Sequence, residues 1–393
     1  MEERRTELEQ NAKRFSQHVD QLLQCFTRRL PRWRNVELRM NRYCARMFEG
    51  CMTTLDDQDW QVPLLDSFTF DLLLGSSRQD LALTCLSKFL SIPHLRCVTV
   101  TADIQHVLQY LGQSNANLFQ LDLLGGMFSL GLEPPDLLSL LPRYANLHTC
   151  HFDVHVPQTL SLESHPVISL PHLQKLSLNF SVERGISNID HVLFNKLSVP
   201  ALRSLTVTVS RIGRVIFERA PFIPWLADGQ IRELNLGTPL SLEAYLECLA
   251  LVPNLTQLAV CDMALNEESA KAFVDHLIPS SEGPSPLCPK IRQLSFLGLD
   301  VDDKLVLDLA YSRKNPVLEG IASLEVFRAR FQRCKQLADI DDLLDALRKQ
   351  GMEITFEYQA ERRDKPSLGQ RQVAGLLPFD HNTLMPSEFM VYT

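Results

Sequence analysis

No stretch of this 393-residue sequence reaches the 20 or so consecutive apolar residues that a bilayer-crossing helix needs, so no membrane span is expected. The ten cysteines form no C-x-x-C pair and no framework-like spacing, which excludes a disulfide scaffold and predicts reduced, mostly buried thiols. Positive charge is in deficit. Lys and Arg number 39 against 47 Asp and Glu, a net charge of −8 with no compensating basic stripe, so neither nucleic acid nor an anionic membrane is an expected partner. Met1 is followed by Glu2, Glu3, Arg4 and Arg5, where a secretory leader would need an apolar stretch, so the expected location is intracellular, in cytoplasm or nucleus.

Catalytic signatures are missing as well. The chain has no G-x-x-x-x-G-K-[ST] loop, no G-x-G-x-x-G, no H-E-x-x-H, no G-x-S-x-G and no Cys/His zinc spacing. The Gly125-Gly126 pair after Leu124 reads as a turn and lacks the spacing of a phosphate cradle. Neither a cofactor nor an enzymatic activity is expected.

What the sequence does contain is a phrase, L-x-x-L-x-φ, recurring about every 29 residues. Its instances begin at Trp33/Val36/Leu38, Leu65/Phe68/Phe70, Leu95/Val98/Val100, Leu118/Leu121/Leu123 and Leu147/Cys150/Phe152. They continue through Leu173/Leu176/Leu178, Leu202/Leu205/Val207, Ile231/Leu234/Leu236, Leu255/Leu258/Val260, Ile291/Leu294/Phe296 and Leu324/Phe327/Ala329, with Ile354/Phe356 as a closing strand. The last two apolar positions are two apart, so in an extended chain both face the core and the residues between them face away. A unit of this length cannot bury its own apolar face and must stack on neighbours.

Helix-period segments lie between most strands. Ser241 can cap a helix with Leu242, Tyr245, Leu246 and Leu249 along one side, and Asn266 one carrying Ala270, Phe273, Val274 and Leu277. Asp339 to Gln350 places Leu343, Leu344 and Leu347 together, with Gly351 at the position of a left-handed C-cap. The expected fold is α/β: a leucine-rich-repeat horseshoe of about eleven irregular repeats, with a parallel inner sheet and outer helices. Residues 32–358 form that array, residues 1–31 an N-terminal helical cap, and residues 359–393 a tail that covers the end or is disordered. Residues 278–290, rich in proline and serine, read as an insertion loop.

The positions facing away from the core are the candidate partner-binding residues, on the concave face. They are Thr99, Thr101, Asp122, His151, Asp153, His155, Ser177, Asn179, Thr206, Thr208, Asn235, Arg328 and Arg330. Eleven strands at about 4.8 Å give an arc of roughly 50 Å, which suits a protein or long peptide. His151, Asp153 and His155 alternate on one strand. Successive members are nearly 7 Å apart, too far for one ion to reach all three, so no metal site is expected. The acidic pairs Asp56-Asp57, Asp302-Asp303 and Asp341-Asp342 sit in loops or helix starts, where they serve the macrodipole. Arg328, Arg330, Arg333 and Lys335 form a basic group around the last complete repeat, read as a solvated edge.

With the repeats placed, the chain resembles the leucine-rich-repeat part of fungal F-box-like proteins over about residues 20–358. The segment Leu30-Pro31-Arg32-Trp33-Arg34-Asn35-Val36-Glu37-Leu38 resembles their opening H-S-x-R-W-x-x-V-x-L. Pro93-His94-Leu95, Pro171-His172-Leu173, Pro200-Ala201-Leu202 and Pro253-Asn254-Leu255 match their P-x-L phrases, and Leu344 to Ile354 resembles their closing helix and strand. The resemblance implies substrate recognition in ubiquitin ligation, with ligase components as partners. The L-P-x-E-[IL]-L phrase of an F-box is not visible before Trp33. Ribonuclease-inhibitor-like and RanGAP-like arrays share the repeat length. They imply the alternatives, a GTPase-activating or other regulatory array that offers Arg328 or Arg330, or a plain scaffold.

Overall fold

The computed structural model describes residues 29–41, 62–73, 84–102, 104–109, 117–125, 131–157, 165–182, 193–210, 216–227, 230–261, 265–279, 287–299 and 301–358, with positions 17, 18, 21, 25, 48 and 111 besides. The helix expected over residues 1–30 falls almost wholly outside the described residues, as do the tail, Asp56-Asp57 and the middle of the insertion loop.

The chain is a mixed α/β structure built on one 12-stranded parallel sheet. Its first half comprises β1 (Asn35–Asn41), β2 (Ser67–Leu73), β3 (Cys97–Ala102), β4 (Gln120–Gly125) and β5 (Thr149–Val156). A two-residue strand, β6 (Ile168–Ser169), precedes β7 (Lys175–Val182), and β8 (Leu197–Ser198) precedes β9 (Ser204–Ser210); β6 and β8 pair with each other apart from the main sheet. The rest are β10 (Glu233–Gly237), β11 (Gln257–Cys261), β12 (Gln293–Leu299), β13 (Val326–Phe331) and β14 (Glu353–Tyr358). Apart from the β6 and β8 excursions, spatial order equals chain order, so each strand lies beside the strand of the next repeat.

Register follows the leucine phrase without a slip through most of the sheet. Leu121, Cys150, Leu176, Leu205, Leu234, Leu258, Leu294 and Phe327 stand opposite one another in a single column. A one-residue slip would turn every one of them toward solvent, so burial of this column fixes the register. All eight are buried in one core that also takes in the apolar sides of the helices.

Those helices are α1 (Thr84–Leu90), α2 (Ile104–Leu108), α3 (Pro134–Leu140), α4 (Ile223–Leu226), α5 (Leu242–Ala250), α6 (Glu267–Leu277), α7 (Asp303–Lys314) and α8 (Ile340–Lys349). Ser241 Oγ accepts the Ala244 N–H at 3.2 Å and Asn266 Oδ1 accepts the Ser269 N–H at 2.8 Å, so both expected caps form. Asp339 precedes α8 without a side-chain cap, and Gly351 ends it at φ 79. The buried stripe of α5 is Ala244, Tyr245, Cys248 and Leu249, while Leu242 and Leu246 are only half-buried. The smallest member of the core phrase, Ala329, is offset by rings. Phe273, Phe296, Phe327 and Phe356 meet edge-on in succession at 6.2, 5.8 and 5.7 Å.

The P-x-L phrases are the turns that launch the strands. Leu95 N–H donates to the Ile92 carbonyl at 3.2 Å, Leu202 to Val199 at 3.1 Å, and Leu255 to Val252 at 3.0 Å. Proline at the second turn position presets the φ that such a turn requires. The residue after each leucine then accepts twice from the next repeat. The Arg96 carbonyl takes the N–H groups of Phe119 and Gln120 at 2.8 and 3.0 Å, and that of Arg203 takes Arg232 and Glu233 at 2.7 and 3.0 Å.

Buried thiols account for most of the described cysteines: Cys150, Cys248, Cys261 and Cys288 are buried and in no disulfide. Burial pushes the thiols of Cys248 and Cys288 up to about 12, which keeps them protonated and unreactive. Among the described residues no helix is long and apolar enough to cross a membrane.

Candidate functional site

Two columns of side chains stand on the sheet face opposite the buried leucines. One runs Thr99, Asp122, His151, Ser177, Thr206 and Asn235 across β3 to β10. The other includes Thr101 on β3 and the row Asp153, Asn179 and Thr208 on β5, β7 and β9. Strand alternation alone puts them there, and the shared register brings neighbours within reach.

Reach becomes hydrogen bonding. Thr99 Oγ1 and Gln120 Nε2 both donate to Asp122 Oδ2, at 3.1 and 2.7 Å. Asn179 Nδ2 donates to Asp153 Oδ1 at 3.1 Å, the Gly125 N–H donates to Asp153 Oδ2 at 2.7 Å, and Thr208 Oγ1 donates to Asn179 Oδ1 at 3.1 Å. The face is therefore a cross-strand ladder spanning β3 to β9, with side chains held in place rather than free. Burial pushes the carboxyls of both Asp122 and Asp153 above the ordinary aspartate range, and His151 between them pulls in the opposite direction.

Two candidates are less open than alternation suggests. Asp122 is 7% exposed and His155 is 5% exposed. The reason at His155 is a change of neighbour. The pairing of β4 with β5 stops at Leu123 and Phe152, and Leu132 takes over beside β5. Its N–H donates to the Asp153 carbonyl at 2.7 Å, and its carbonyl accepts the His155 N–H at 2.8 Å. His151, Asp153 and His155 thus do not form a common open row, and among the described residues no group of three His, Cys, Asp or Glu could hold a metal ion.

That replacement depends on Gly131. A Cβ at this position would lie 2.3 Å from the Asp153 carbonyl oxygen and 2.9 Å from the Val154 nitrogen, both backbone atoms that cannot rotate away. Gly131→Ala is expected to lower the unfolding free energy by about 2–3 kcal/mol and to expose His155. Urea unfolding together with amide exchange at Leu132 and His155 reads both effects; unchanged protection at both amides would contradict the close approach.

Arg328 and Arg330 lie at the far end of the sheet, away from the ladder, and their guanidiniums pair with Glu353 and Glu357 on β14. Between the two groups the face carries Ala259, Ser295, Gly237 and Leu297. The candidate residues thus divide into a polar ladder over β3 to β10 and a paired set on β13 and β14.

A second surface escaped the sequence reading. The residue after each turn leucine lies on the N-terminal edge of the sheet, and the column there reads Arg96, Phe119, His148, Gln174, Arg203, Arg232, Thr256 and Arg292. The Phe119 and His148 rings stack at 4.3 Å, His148 and His172 at 5.8 Å, and the Arg96 guanidinium lies 5.7 Å from the Phe119 centroid. The signal was present at a fixed place in every repeat, one residue after the first apolar position.

No protein-family model matches the chain, and no curated protein matches it.

Proposed function

We propose that the chain is a leucine-rich-repeat solenoid of the fungal F-box-like kind, and that the outward face of its sheet recognises a protein partner without catalysing a reaction. In this reading residues 1–31 are the N-terminal cap, residues 32–358 the array and residues 359–393 a tail that covers its end or is disordered. The observation that supports it is the ladder Asp153, Asn179 and Thr208. Three successive strands present polar groups whose positions are fixed by hydrogen bonds to one another. A preorganised polar surface loses little side-chain entropy on binding, which suits recognition. Twelve strands at about 4.8 Å make it roughly 50 Å wide, the span of a protein rather than a metabolite.

Pairing of Arg328 and Arg330 with Glu353 and Glu357 favours recognition over GTPase activation, because an arginine that completes another protein's site must be free to swing into it. A role in selecting substrates for ubiquitin ligation follows from the resemblance of the P-x-L turns and of the opening and closing phrases.

The test is affinity purification with the full chain and with the Ser177→Arg/Thr206→Arg variant, which plants two long cations in the middle of the face. A partner of this surface is expected to bind the variant at least about 30-fold more weakly. Equal capture by a variant that still melts like the parent would remove the sheet face as the binding surface. Recovery of a cullin and its adaptor with the parent protein would support the ligase reading, and their absence would leave a scaffold.

A further inference from the structure

The turns that launch β9 to β12 surround a recess of about 410 Å³, lined by Arg203, Gln230, Arg232, Asn254, Thr256 and Lys290. We infer that this recess is an oxyanion site that takes a single phosphate-class group, either free or carried on a peptide side chain.

Three cationic side chains line the recess, and none of the six lining residues is acidic. The Arg232 N–H donates to the Arg203 carbonyl at 2.7 Å, so the two arginines leave the backbone on adjacent repeats, about one strand spacing apart. Lys290 Nζ donates to Asn254 Oδ1 at 2.7 Å, which ties the ammonium to the recess.

The two arginines are also unengaged. Arg203 and Arg232 are exposed, and their guanidiniums make no ion pair or hydrogen bond among the described residues. Arg292, in the same column two repeats on, pairs instead with Glu325 at 2.7 Å. Like charges held this close repel one another, and an anion between them relieves the repulsion. A phosphate group brings close to two negative charges and three acceptor oxygens, matching two guanidinium forks and one ammonium better than a carboxylate does.

The array of cations is too short to track a nucleic-acid backbone, which needs them repeated with each phosphate. On one side the column passes to Gln174 and His148, and on the other Arg292 is already paired and Glu325 follows. The chain as a whole is acidic, at −8. None of the recess residues belongs to the outward sheet face, so the site stands apart from the partner surface proposed above.

Calorimetric titration of the full chain tests the assignment with four probes: inorganic phosphate, N-acetyl-phosphoserine amide, N-acetyl-glutamate amide and a uridine oligonucleotide. Saturable 1:1 binding of inorganic phosphate is expected, with the glutamate amide at least about tenfold weaker. Each arginine removed should weaken binding about tenfold or more, so Arg203→Gln/Arg232→Gln should approach a hundredfold loss, whereas Arg203→Lys/Arg232→Lys keeps part of the affinity. Both side chains are exposed, so an unchanged melting curve for each variant is expected and is checked alongside. If the phosphoserine amide binds as well as the free ion, the group is one that arrives on a peptide; if only the free ion binds, it is phosphate itself. Ser177→Arg/Thr206→Arg should leave all of this unchanged, which separates the site from the sheet face. The assignment is overturned by no saturable phosphate binding, by binding that survives in the double Gln variant, by glutamate binding equally well, or by the oligonucleotide outcompeting both phosphate probes.

Discussion

Arg313→Met is expected to lower the unfolding free energy by about 3 kcal/mol. Arg313 lies inside α7 and is 1% exposed. Its Nε donates to the Leu277 carbonyl at 2.8 Å, Nη2 to Leu287 at 2.7 Å and Nη1 to Cys288 at 3.2 Å. No acidic side chain is among these partners. The cation instead gathers carbonyls at the end of α6 and from the insertion loop, and burial holds its proton affinity down to about 10. Methionine of similar length fills the space but leaves those carbonyls buried without donors, at about 1 kcal/mol or more each. The loop they belong to is already constrained, since Cys288 sits at φ 50, a region side chains other than glycine disfavour. Urea unfolding of parent, Arg313→Met and Arg313→Lys provides the measurement. Lysine has one ammonium for three carbonyls and should recover only part of the loss. A Met variant within 1 kcal/mol of the parent would mean that the clamp does not hold the loop.

Asp303→Ala should be at least as damaging, about 3–5 kcal/mol, because it breaks a buried ion pair from one side. Asp303 opens α7 and is 1% exposed. Oδ2 accepts the N–H groups of Gln336 and Leu337 at 2.9 and 3.1 Å, and Oδ1 lies 2.8 Å from Arg333 Nη2. Arg333 also reaches the Val301 carbonyl and stacks on Phe331 at 4.6 Å, so one carboxylate ties the start of α7 to the loop leaving β13.

Burial alone would push this carboxyl up. The Gln336 N–H, the Arg333 guanidinium and the Leu337 N–H together outweigh burial and hold it below the ordinary range. A depressed folded value means that the contribution is full above the unfolded aspartate value of about 3.9 and is lost as pH falls through the folded one. Asp122 and Asp153 have the opposite sign. Their raised values mean that each destabilises at neutral pH, and that this penalty disappears as pH falls through the raised value toward the unfolded one. The stability gap between parent and Asp303→Asn should therefore be flat from pH 7 to 5 and close below about 4. A gap that persists undiminished at pH 2 would show that packing, not charge, carries the effect.

The two substitutions also mark the limit of what could be read from the chain. The leucine phrase predicts each buried column because it repeats, and a repeated residue meets its own counterpart one strand away. Thr99 beside Asp122 and Asn179 beside Thr208 follow from the same register. The caps at Ser241 and Asn266 and the glycine at 351 were legible for a different reason, since each acts on backbone within a few residues of itself. Arg313 belongs to neither class. Read as a sequence it is a basic residue in the last turn of a helix, where cations are common, and nothing local reveals that it is buried against carbonyls 25 to 36 residues away. Asp303 likewise reads as helix-start acidity, and its partners 33 and 34 residues on lie in irregular chain.

By itself, then, the sequence determined the α/β class, the parallel order of the strands and which residues face the core, because period and polarity are properties of a chain in any stacked arrangement. Only the tertiary structure decided which outward residues remain accessible, that Leu132 displaces β4 beside His155, and that Arg203 and Arg232 stand unpaired while Arg292 does not. Those outcomes depend on where irregular segments return and which opposite charge they bring within about 4 Å, a distance that no repeat period specifies.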